Sequence, residues 1–259
     1  MTTTPEDGRD GATEAQAPMP LQAPADDAST GAACYRRIVE NVQRVVTGQR
    51  ESLRLLLAAL AGGGHVLLEA MAEGQVSIEG HTHRLEQPFL VIATQNPVEF
   101  RGTYPLPEAQ MDRFAVRLSF GYLALDDEVA MVAVQAHRSP LDALQACATL
   151  DDIVALRGQV AAVQIADELR YYAVEIVRAT RNAPSVQLGA GPRASLALMR
   201  VAQALALFDG DGFVAPEHVH EAAVPVIGHR LVLDARARFS GVTKAGVVDQ
   251  VLAAVPVPA

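Results

Sequence analysis

Apolar residues recur at helical spacing where the patterned part of the chain begins. A predicted helix starts near residue 35 and carries three apolar side chains on one face, those of Ile38, Val42 and Val45. After Gly48, a second apolar repeat predicts another helix through residues 53–60, and three glycines at 62–64 end it. The patterned region therefore opens with two short amphipathic helices.

Three apolar runs that follow predict strands, at residues 65–69, 89–93 and 115–120. The middle run reads Phe-Leu-Val-Ile-Ala and precedes Thr-Gln-Asn-Pro. This arrangement is typical of a buried parallel strand with polar residues at the carboxyl edge of its sheet. Between the first two runs, residues 75–78 and 82–85 alternate around Glu-Gly-His and predict a β-hairpin.

Helical patterns dominate the second half of the chain. Thr149 and Asp152 match a capping box, and Pro192 and Pro216 stand where helices are predicted to start. Ala215 occupies a position where a capping Ser or Thr would help the helix that follows. This half is therefore predicted to form a compact helical domain.

The order of these patterns predicts an α/β core followed by an all-α portion. We expect four segments: a disordered acidic tail, a core with a parallel sheet and a β-hairpin, a connecting helix with its linker, and a helical domain. They cover residues 1–31, 32–122, 123–148 and 149–259.

Composition supports helices and excludes some partners. Half of the residues are hydrophobic and tryptophan is absent, which favours helices over an all-β sandwich. The net charge is −9, of which the tail contributes five through six acids and one arginine, and no basic stripe marks a nucleic-acid surface. No apolar run is long enough to cross a membrane, and the acidic start does not resemble a secretory signal. We therefore predict a cytoplasmic protein.

Few residues offer catalytic or metal chemistry of their own. Cys34 and Cys147 have neither metal-ligand nor disulfide-framework spacing, so both are predicted to be small buried or half-buried hydrophobes. His81 and His83 could share one strand face, but no further ligand accompanies them, and we predict no metal site. The single lysine, Lys244, lies outside any glycine-rich loop, so this chain contains no G-x-x-x-x-G-K-[ST] phosphate loop.

Several segments together resemble the MoxR-type branch of the AAA+ ATPases. They are Val-Val-Thr-Gly-Gln at 45–49, Glu-Gly-Gln-Val-Ser-Ile-Glu-Gly at 73–80, Ala-Thr-Gln-Asn-Pro at 93–97, Gly-Thr-Tyr-Pro-Leu-Pro-Glu-Ala-Gln-Met-Asp-Arg-Phe at 102–114, Arg-Ala-Thr-Arg-Asn at 178–182 and Leu-Gly-Ala-Gly-Pro-Arg-Ala-Ser-Leu at 188–196. The resemblance implies a truncated AAA+ core, similar to a P-loop NTPase, with a helical lid. It also implies ATP and Mg²⁺ as cofactors and a chaperone-like role in assembling complexes or inserting cofactors. The implied partners are further copies or intact paralogues in a ring, and proteins with a von Willebrand factor A domain.

The resemblance assigns two residues to catalysis. Asn96 matches sensor 1, which orients the attacking water, although an asparagine before proline also starts an ordinary turn. Arg113 matches the arginine finger, which stabilises transition-state charge on a neighbour's nucleotide. The alternative for Arg113 is an ordinary salt bridge to Asp112 or Glu108.

Three further residues match nucleotide-binding positions of the family. Gly48 and Gln49 correspond to the loop that packs against adenine. Arg193 corresponds to sensor 2, and it follows Pro192 at a predicted helix start, where the helix dipole and a guanidinium together favour an anion.

The chain departs from the family between its first two predicted strands. In the family, a strand like His65–Glu69 leads into the P-loop, and a second Leu-Leu-Glu-Ala-Met follows the Walker B acids. Here one copy, at residues 67–71, serves as both, so residues 65–74 are typical of a strand and of a helix end at once. We hypothesise that the stretch holding Walker A and Walker B was deleted.

This departure sets the functional expectations. The strands that remain correspond to strands 1, 4 and 5 of the family's order 5-1-4-3-2, so a three-stranded parallel remnant with a new edge is predicted. Without the P-loop, normal ATP binding and hydrolysis are not expected. The alternatives are a non-catalytic subunit or regulator in a ring of intact paralogues, or a deletion product without function.

Overall fold

The computed structural model describes residues 30–46, 48–69, 88–95, 106–135 and 144–258. The predicted hairpin at 75–85, the predicted sensor residue Asn96 and most of the predicted tail lie outside these residues. Within the described part of the chain, no helix is both long and apolar enough to cross a membrane.

Two helices precede the first strand, as the apolar repeats predict. Helix α1 spans Gly31–Gln43 and helix α2 spans Arg50–Ala61. Helix α1 begins earlier than the periodicity indicates, because the Thr30 hydroxyl accepts a hydrogen bond from the Ala33 N–H at 3.3 Å and caps the helix.

The glycine run after α2 allows helix and sheet to approach closely. A Cβ atom at position 64 would lie 2.3 Å from the Cβ atom of Ala115, so only glycine fits there. The turn therefore leads the chain directly from α2 into the central strand.

The core sheet has three parallel strands. Strands β1 (Val66–Glu69), β2 (Ile92–Thr94) and β3 (Val116–Ser119) lie in the order β2-β1-β3. Val66 pairs with Ile92 on one side and with Val116 on the other. This is the order predicted for the remaining strands of an AAA+ sheet, and it confirms a truncated α/β core.

Strand β2 corrects one prediction. The apolar run at 89–93 is typical of a buried strand, but β2 begins at Ile92 and its surface is open, with Val91 43% and Ile92 45% exposed. The physical reason is the lack of helix cover, because α2 and the helix at Pro216–Ile227 pack on β3, which is equally an edge strand among the described strands but stays buried, whereas no described helix packs closely on β2.

Two helices flank β3. A short helix, α3 (Glu108–Met111), precedes it, and α4 (Leu125–Gln135) follows it. Helix α4 carries three acids in its first turn, and several of its apolar side chains are exposed, including Leu125, Val129 and Val132.

The remaining helices form the lid. They are α5 (Leu150–Ala162), α6 (Asp167–Ala179), α7 (Pro192–Asp209), α8 (Pro216–Ile227), α9 (Ala235–Phe239) and α10 (Lys244–Ala254), with a 3₁₀ turn at Gly228–Arg230. The lid also contains a two-stranded antiparallel ribbon of β4 (Val186–Leu188) and β5 (Val232–Leu233), so it is not purely helical. Strands of two and three residues are too short to produce an alternating pattern that the sequence could reveal.

Helix caps in the lid follow the sequence closely. Thr149 and Asp152 form the predicted capping box, with N···O distances of 2.9 and 3.2 Å. Helix α7 ends at Gly210, whose φ of 89° is the left-handed conformation that glycine adopts without strain. At α8 the Ala215 side chain offers no cap, but Nδ1 of His218 accepts a hydrogen bond from the Ala215 N–H at 2.9 Å, which is the reciprocal half of a capping box.

A single hydrophobic core joins the sheet to the lid. Buried side chains of α2 and β3 pack in the same cluster as those of α6, α7 and α8. Leu198, Leu205 and Ile227 are fully buried within it. The two cysteines are free, with Cys34 buried and Cys147 half-buried, as predicted. The lid is therefore anchored to β3 and to α2.

Candidate functional site

The predicted arginine finger lies in a tight turn at the amino edge of the sheet. Arg113 follows α3 and precedes β3, and the Ala115 N–H donates to the His65 carbonyl at 2.7 Å where β1 and β3 begin. The Arg113 side chain is exposed. Among the described residues, no carboxylate lies within ion-pair distance of it. The alternative of a salt bridge to Asp112 or Glu108 is therefore wrong for the described conformation.

Asp112 instead contacts two other arginines. Its Oδ2 atom lies 3.7 Å from Nη1 of Arg193, and its Oδ1 atom accepts a hydrogen bond from Nε of Arg230 at 3.1 Å. Arg193 follows Pro192 in the first turn of α7, where the sequence places it, and it is well exposed. The carboxylate of Asp112 thus lies between an exposed guanidinium and a buried one.

The two predicted arginines line one cleft. The cleft has a volume of about 480 Å³ and lies between the glycine turn after α2, the turn around Arg113 and the first half of α7. Its charged and titratable lining residues are His65, Asp112, Arg113, Arg193, Arg200 and Arg230. Four arginines and one carboxylate make this cleft strongly cationic within a chain of net charge −9. Such a cleft suits a multiply charged anion such as a phosphate group.

Arg230 is a part of this cleft that the sequence analysis missed. Only 3% of its side chain is exposed, and its guanidinium donates to the carbonyls of Asp112, Phe114, Ala115 and Val226. Burial lowers the pKa of Arg230, and the nearby Asp112 carboxylate opposes that shift. No pattern in the sequence pairs position 230 with position 112, because they meet only through the tertiary fold.

His229 also faces the turn that carries Arg113. Its Nε2 atom lies 3.1 Å from the Phe114 carbonyl, and its Nδ1 atom lies 3.1 Å from the Pro225 carbonyl. Burial, with Arg230 beside it, lowers the pKa of His229 to about 3, so its ring is neutral near pH 7. A neutral imidazole donates from one nitrogen only, so one of these two contacts is a hydrogen bond at a time.

Gly48 and Gln49 lie elsewhere, toward the carboxyl edge of the sheet. A Cβ atom at Gly48 would come within 2.9 Å of Leu123 and 3.2 Å of an Asp127 oxygen, and both residues follow the end of β3. The Gly48 φ of 72° accounts for glycine at this tight turn. Gln49 is the N-cap residue of α2 but makes no side-chain cap.

The structure therefore divides the predicted site residues between two edges of one sheet. Arg113 and Arg193 share the amino edge, whereas Gly48 and Gln49 lie toward the carboxyl edge, where the Gln95 N–H also pairs with the Leu68 carbonyl. The two arginines cannot act at the same point as the Gly48 loop within one molecule.

The described residues near Gly48, at the carboxyl edge, offer little that suits ATP with Mg²⁺. Leu123 and Asp127 already cover the loop at Gly48, and a carboxylate there repels phosphate. The chain has no P-loop lysine. Within the described ranges, no cluster of three potential metal ligands is present. The amino-edge cleft, by contrast, holds the donors that a phosphate group needs.

Family models match two parts of the chain. The model described as the ATPase family associated with various cellular activities matches residues 59–116, and the model described as the AAA lid domain matches residues 178–251. The first range includes β1, β2 and the first residue of β3, and the second runs from the end of α6 into α10.

Named relatives agree with these matches. The chain is 44% identical over 192 residues to an uncharacterised protein, YeaC, of Bacillus subtilis, and 38% identical over 201 residues to the chaperone MoxR1 of Mycobacterium tuberculosis. It is 29% identical over 216 residues to protein MoxR of Paracoccus denitrificans. These alignments cover 74–75% of this chain but only 60%, 53% and 63% of the respective relatives. The chain thus spans little more than half the length of the curated relatives it matches.

A solved structure shares the fold. The crystal structure of a proposed ATPase from Cytophaga hutchinsonii superimposes with a TM-score of 0.79 at 25% identity, covering 88% of this chain and 96% of that one. The sheet and lid seen here therefore occur together in that protein as well.

Proposed function

This chain belongs to the MoxR-type branch of the AAA+ ATPases, and from that premise we propose that it is a non-catalytic subunit of a MoxR-type chaperone assembly. In this role it supplies arginines to a neighbouring subunit's ATP and does not hydrolyse ATP itself. The ring, the intact paralogues within it and an ATP-dependent role in assembling complexes or inserting cofactors are parts of this proposal, as is a partner with a von Willebrand factor A domain.

One observation carries the proposal. Arg113 and Arg193 line the same exposed cationic cleft, at the sheet edge opposite the Gly48 loop, and Arg113 has no described carboxylate partner. An exposed cluster of like charges repels itself, and a polyanion from outside the molecule relieves that repulsion. A neighbouring subunit's triphosphate is such an anion. The cleft and the Gly48 loop lie at opposite edges of the sheet. This placement supports a role of the two arginines toward a neighbouring subunit's nucleotide.

The chemistry follows from the guanidinium group. A planar fork of N–H donors beside the transferring phosphoryl group neutralises the charge that spreads over its oxygens in the transition state. Such an arginine is worth about 10³–10⁵-fold in rate where it acts in trans. Asn96 matches the family's sensor 1 and Gly48 and Gln49 match its adenine loop, but in this proposal they have no nucleotide of their own to serve.

The absent P-loop is part of the same proposal. We propose that the missing stretch beside Glu69 held Walker A and Walker B, and that its loss leaves the amino-edge cleft in place because the cleft is built from α2, α7 and the turn before β3. Sequencing the genomic locus across codon 69 tests the deletion. An uninterrupted P-loop segment at that point in the gene would contradict it.

The functional test uses an intact MoxR-type ATPase whose own residue equivalent to Arg113 is changed to Ala. We expect this chain to co-elute with that partner and to restore its ATP hydrolysis. The Arg113→Ala chain should also co-elute, but the restored rate of hydrolysis should be about 10³-fold lower. Arg36→Ala, which removes an exposed arginine from α1, is the matched control and should restore hydrolysis fully. Separate elution of the two proteins would contradict the proposal.

A further inference from the structure

We propose that Arg230 is a positioning residue that holds Arg113 and Arg193 as a preorganised pair. The inference rests on the proposed function, because it assigns a role toward the same anion. Arg230 is a buried residue to which the family resemblance assigns no role at the site. Three contacts of its own and one of the neighbouring His229 support this role.

The first contact is with the backbone on both sides of Arg113. The Nη2 atom of Arg230 donates to the Asp112 carbonyl at 3.2 Å and to the Phe114 carbonyl at 2.6 Å, and its Nη1 atom donates to the Ala115 carbonyl at 3.3 Å. One guanidinium therefore holds the residue before Arg113 and the two residues after it. Since the carbonyls on both sides are held, the Cα–Cβ direction of Arg113 is set.

The second contact is with the side chain of Asp112. Its carboxylate accepts from Nε of Arg230 and lies 3.7 Å from Arg193. Arg230 holds this carboxylate from the buried side, so the other oxygen faces Arg193 across the mouth of the cleft. Asp112 thereby orients the exposed guanidinium of Arg193 toward the same space that Arg113 borders.

The third contact fixes Arg230 itself. Its guanidinium also donates to the Val226 carbonyl in the last turn of α8, and its side chain is 3% exposed. Helix α8 packs in the continuous core, with Val226 and Ile227 fully buried. Arg230 therefore connects the turn that carries Arg113 to α8, a well-packed helix of the lid.

The fourth contact comes from the neighbouring residue. Nε2 of His229 lies 3.1 Å from the Phe114 carbonyl, which Arg230 also contacts. In the tautomer that carries its proton on Nε2, His229 therefore joins Arg230 in holding one carbonyl next to Arg113. A catalytic arginine needs such support, because a displacement of about 1 Å at a reacting group can reduce the rate about 100-fold.

A lysine at position 230 separates positioning from charge. Arg230→Lys keeps a positive charge beside Asp112, but a single ammonium cannot donate in one plane to both carbonyls that flank Arg113. The matched control is Arg157→Lys, because Arg157 also donates from Nε to a backbone carbonyl, that of Leu60, at 3.0 Å. Arg157 is not among the residues that line the cleft.

The first measurement is hydrogen exchange on the isolated chain. The backbone N–H groups of Arg113 and Phe114 donate to the carbonyls of Gln110 and Met111, respectively, each at 3.1 Å. We expect Arg230→Lys to speed their exchange at least tenfold relative to the buried helix amide of Ala173, and Arg157→Lys to leave that ratio unchanged. An unchanged ratio in Arg230→Lys would overturn the inference whatever the oligomeric behaviour.

The second measurement is the restored ATP hydrolysis described above, expressed per assembled complex. We expect Arg230→Lys to lower kcat about 10- to 100-fold with KM for ATP unchanged, since the neighbouring subunit binds the nucleotide. A loss of folded chain would reduce the amount of complex but not its kcat. If the wild-type chain restores hydrolysis and Arg230→Lys restores it equally, the inference fails and the proposed function stands. If the wild-type chain restores nothing, the proposed function fails.

Discussion

At the scale of single residues, burial determines the role of each arginine around the cleft. Arg113 and Arg193 are exposed and available to an anion. Arg230 is buried, and its N–H groups already donate to carbonyls and to one carboxylate. Asp112 connects the exposed and the buried arginines, because its side chain is one-third exposed and contacts both Arg193 and Arg230. Exposure therefore distinguishes the arginines that can bind from the arginine that positions.

Removing the Asp112 charge should destabilise the protein. In Asp112→Asn, the buried Arg230 loses its only ion-pair partner among the described residues, and we expect the free energy of unfolding to fall by about 1–3 kcal/mol. Urea unfolding measures the change. Asp167→Asn, which breaks the exposed pair with Arg170, is the control and should change stability by less than about 0.5 kcal/mol. Equal effects of the two variants would contradict the assignment.

His229 should make stability depend on pH. Its folded-state pKa of about 3 lies below the ordinary value of 6.5, so between these values the unfolded chain binds more protons and stability falls as the pH is lowered. The slope that His229 adds in this window is at most about 1.4 kcal/mol per pH unit. We expect His229→Gln to reduce the loss of stability between pH 6.5 and pH 4, measured by urea unfolding at each pH. An identical pH profile would show that His229 does not remain neutral in the fold.

At the scale of elements, the sheet and lid meet where small residues permit it. Gly64 allows the end of α2 to approach β3, and the buried alanines of α7 allow close contact with neighbouring helices. The helix starts and stops that define these contacts were predictable, because prolines, capping residues and glycines mark them in the sequence.

Gly64→Ala should therefore be costly although alanine is a small residue. The new Cβ atom would lie 2.3 Å from the Cβ of Ala115, so the backbone must shift, and we expect a loss of about 1–3 kcal/mol. Gly158→Ala is the matched control, because position 158 lies within α5 with open space around it, and it should stabilise by about 0.5–1 kcal/mol. Thermal melts of both variants compare the two sites. A neutral Gly64→Ala variant would mean that α2 and β3 are not held this closely.

At the scale of the whole molecule, a continuous core holds together a sheet of only three described strands. The lid helices pack on α2 and β3, so the three-stranded core is supported on its β3 side even though β2 is open. This arrangement bears on whether the chain is a working subunit or a deletion product, because a working subunit must fold as one unit.

We expect the purified chain to unfold in a single cooperative transition that Mg-ATP does not shift. A ligand that binds only the folded state adds about 2.7 kcal/mol at 100 times its dissociation constant, so even weak ATP binding would raise Tm measurably. Calorimetry with and without excess Mg-ATP provides the test. A clear upward shift that persists in Arg113→Ala, which removes an anion contact of the amino-edge cleft, would contradict the loss of nucleotide binding. A broad transition without cooperativity would favour a deletion product over a subunit.

Most elements, the strand order and the family could be predicted from the amino-acid sequence. Apolar periodicity, caps and turn residues act locally, so they located most helices and the three strands, and the long Gly-Thr-Tyr-Pro-Leu-Pro segment identified the MoxR-type branch. Local signals could not show that β2 is exposed, because burial of a strand depends on which helices pack against it in the fold.

The arrangement of the site follows from the three-dimensional fold and could not be predicted from local patterns. The fold separated Arg113 and Arg193 from Gly48 by placing them at opposite edges of the sheet, and it brought Arg230 onto the turn at Asp112, 118 positions away in the chain. The physical reason is that a guanidinium binds carbonyls wherever folding presents them, and one arginine in a sequence carries no mark of which distant backbone it will hold.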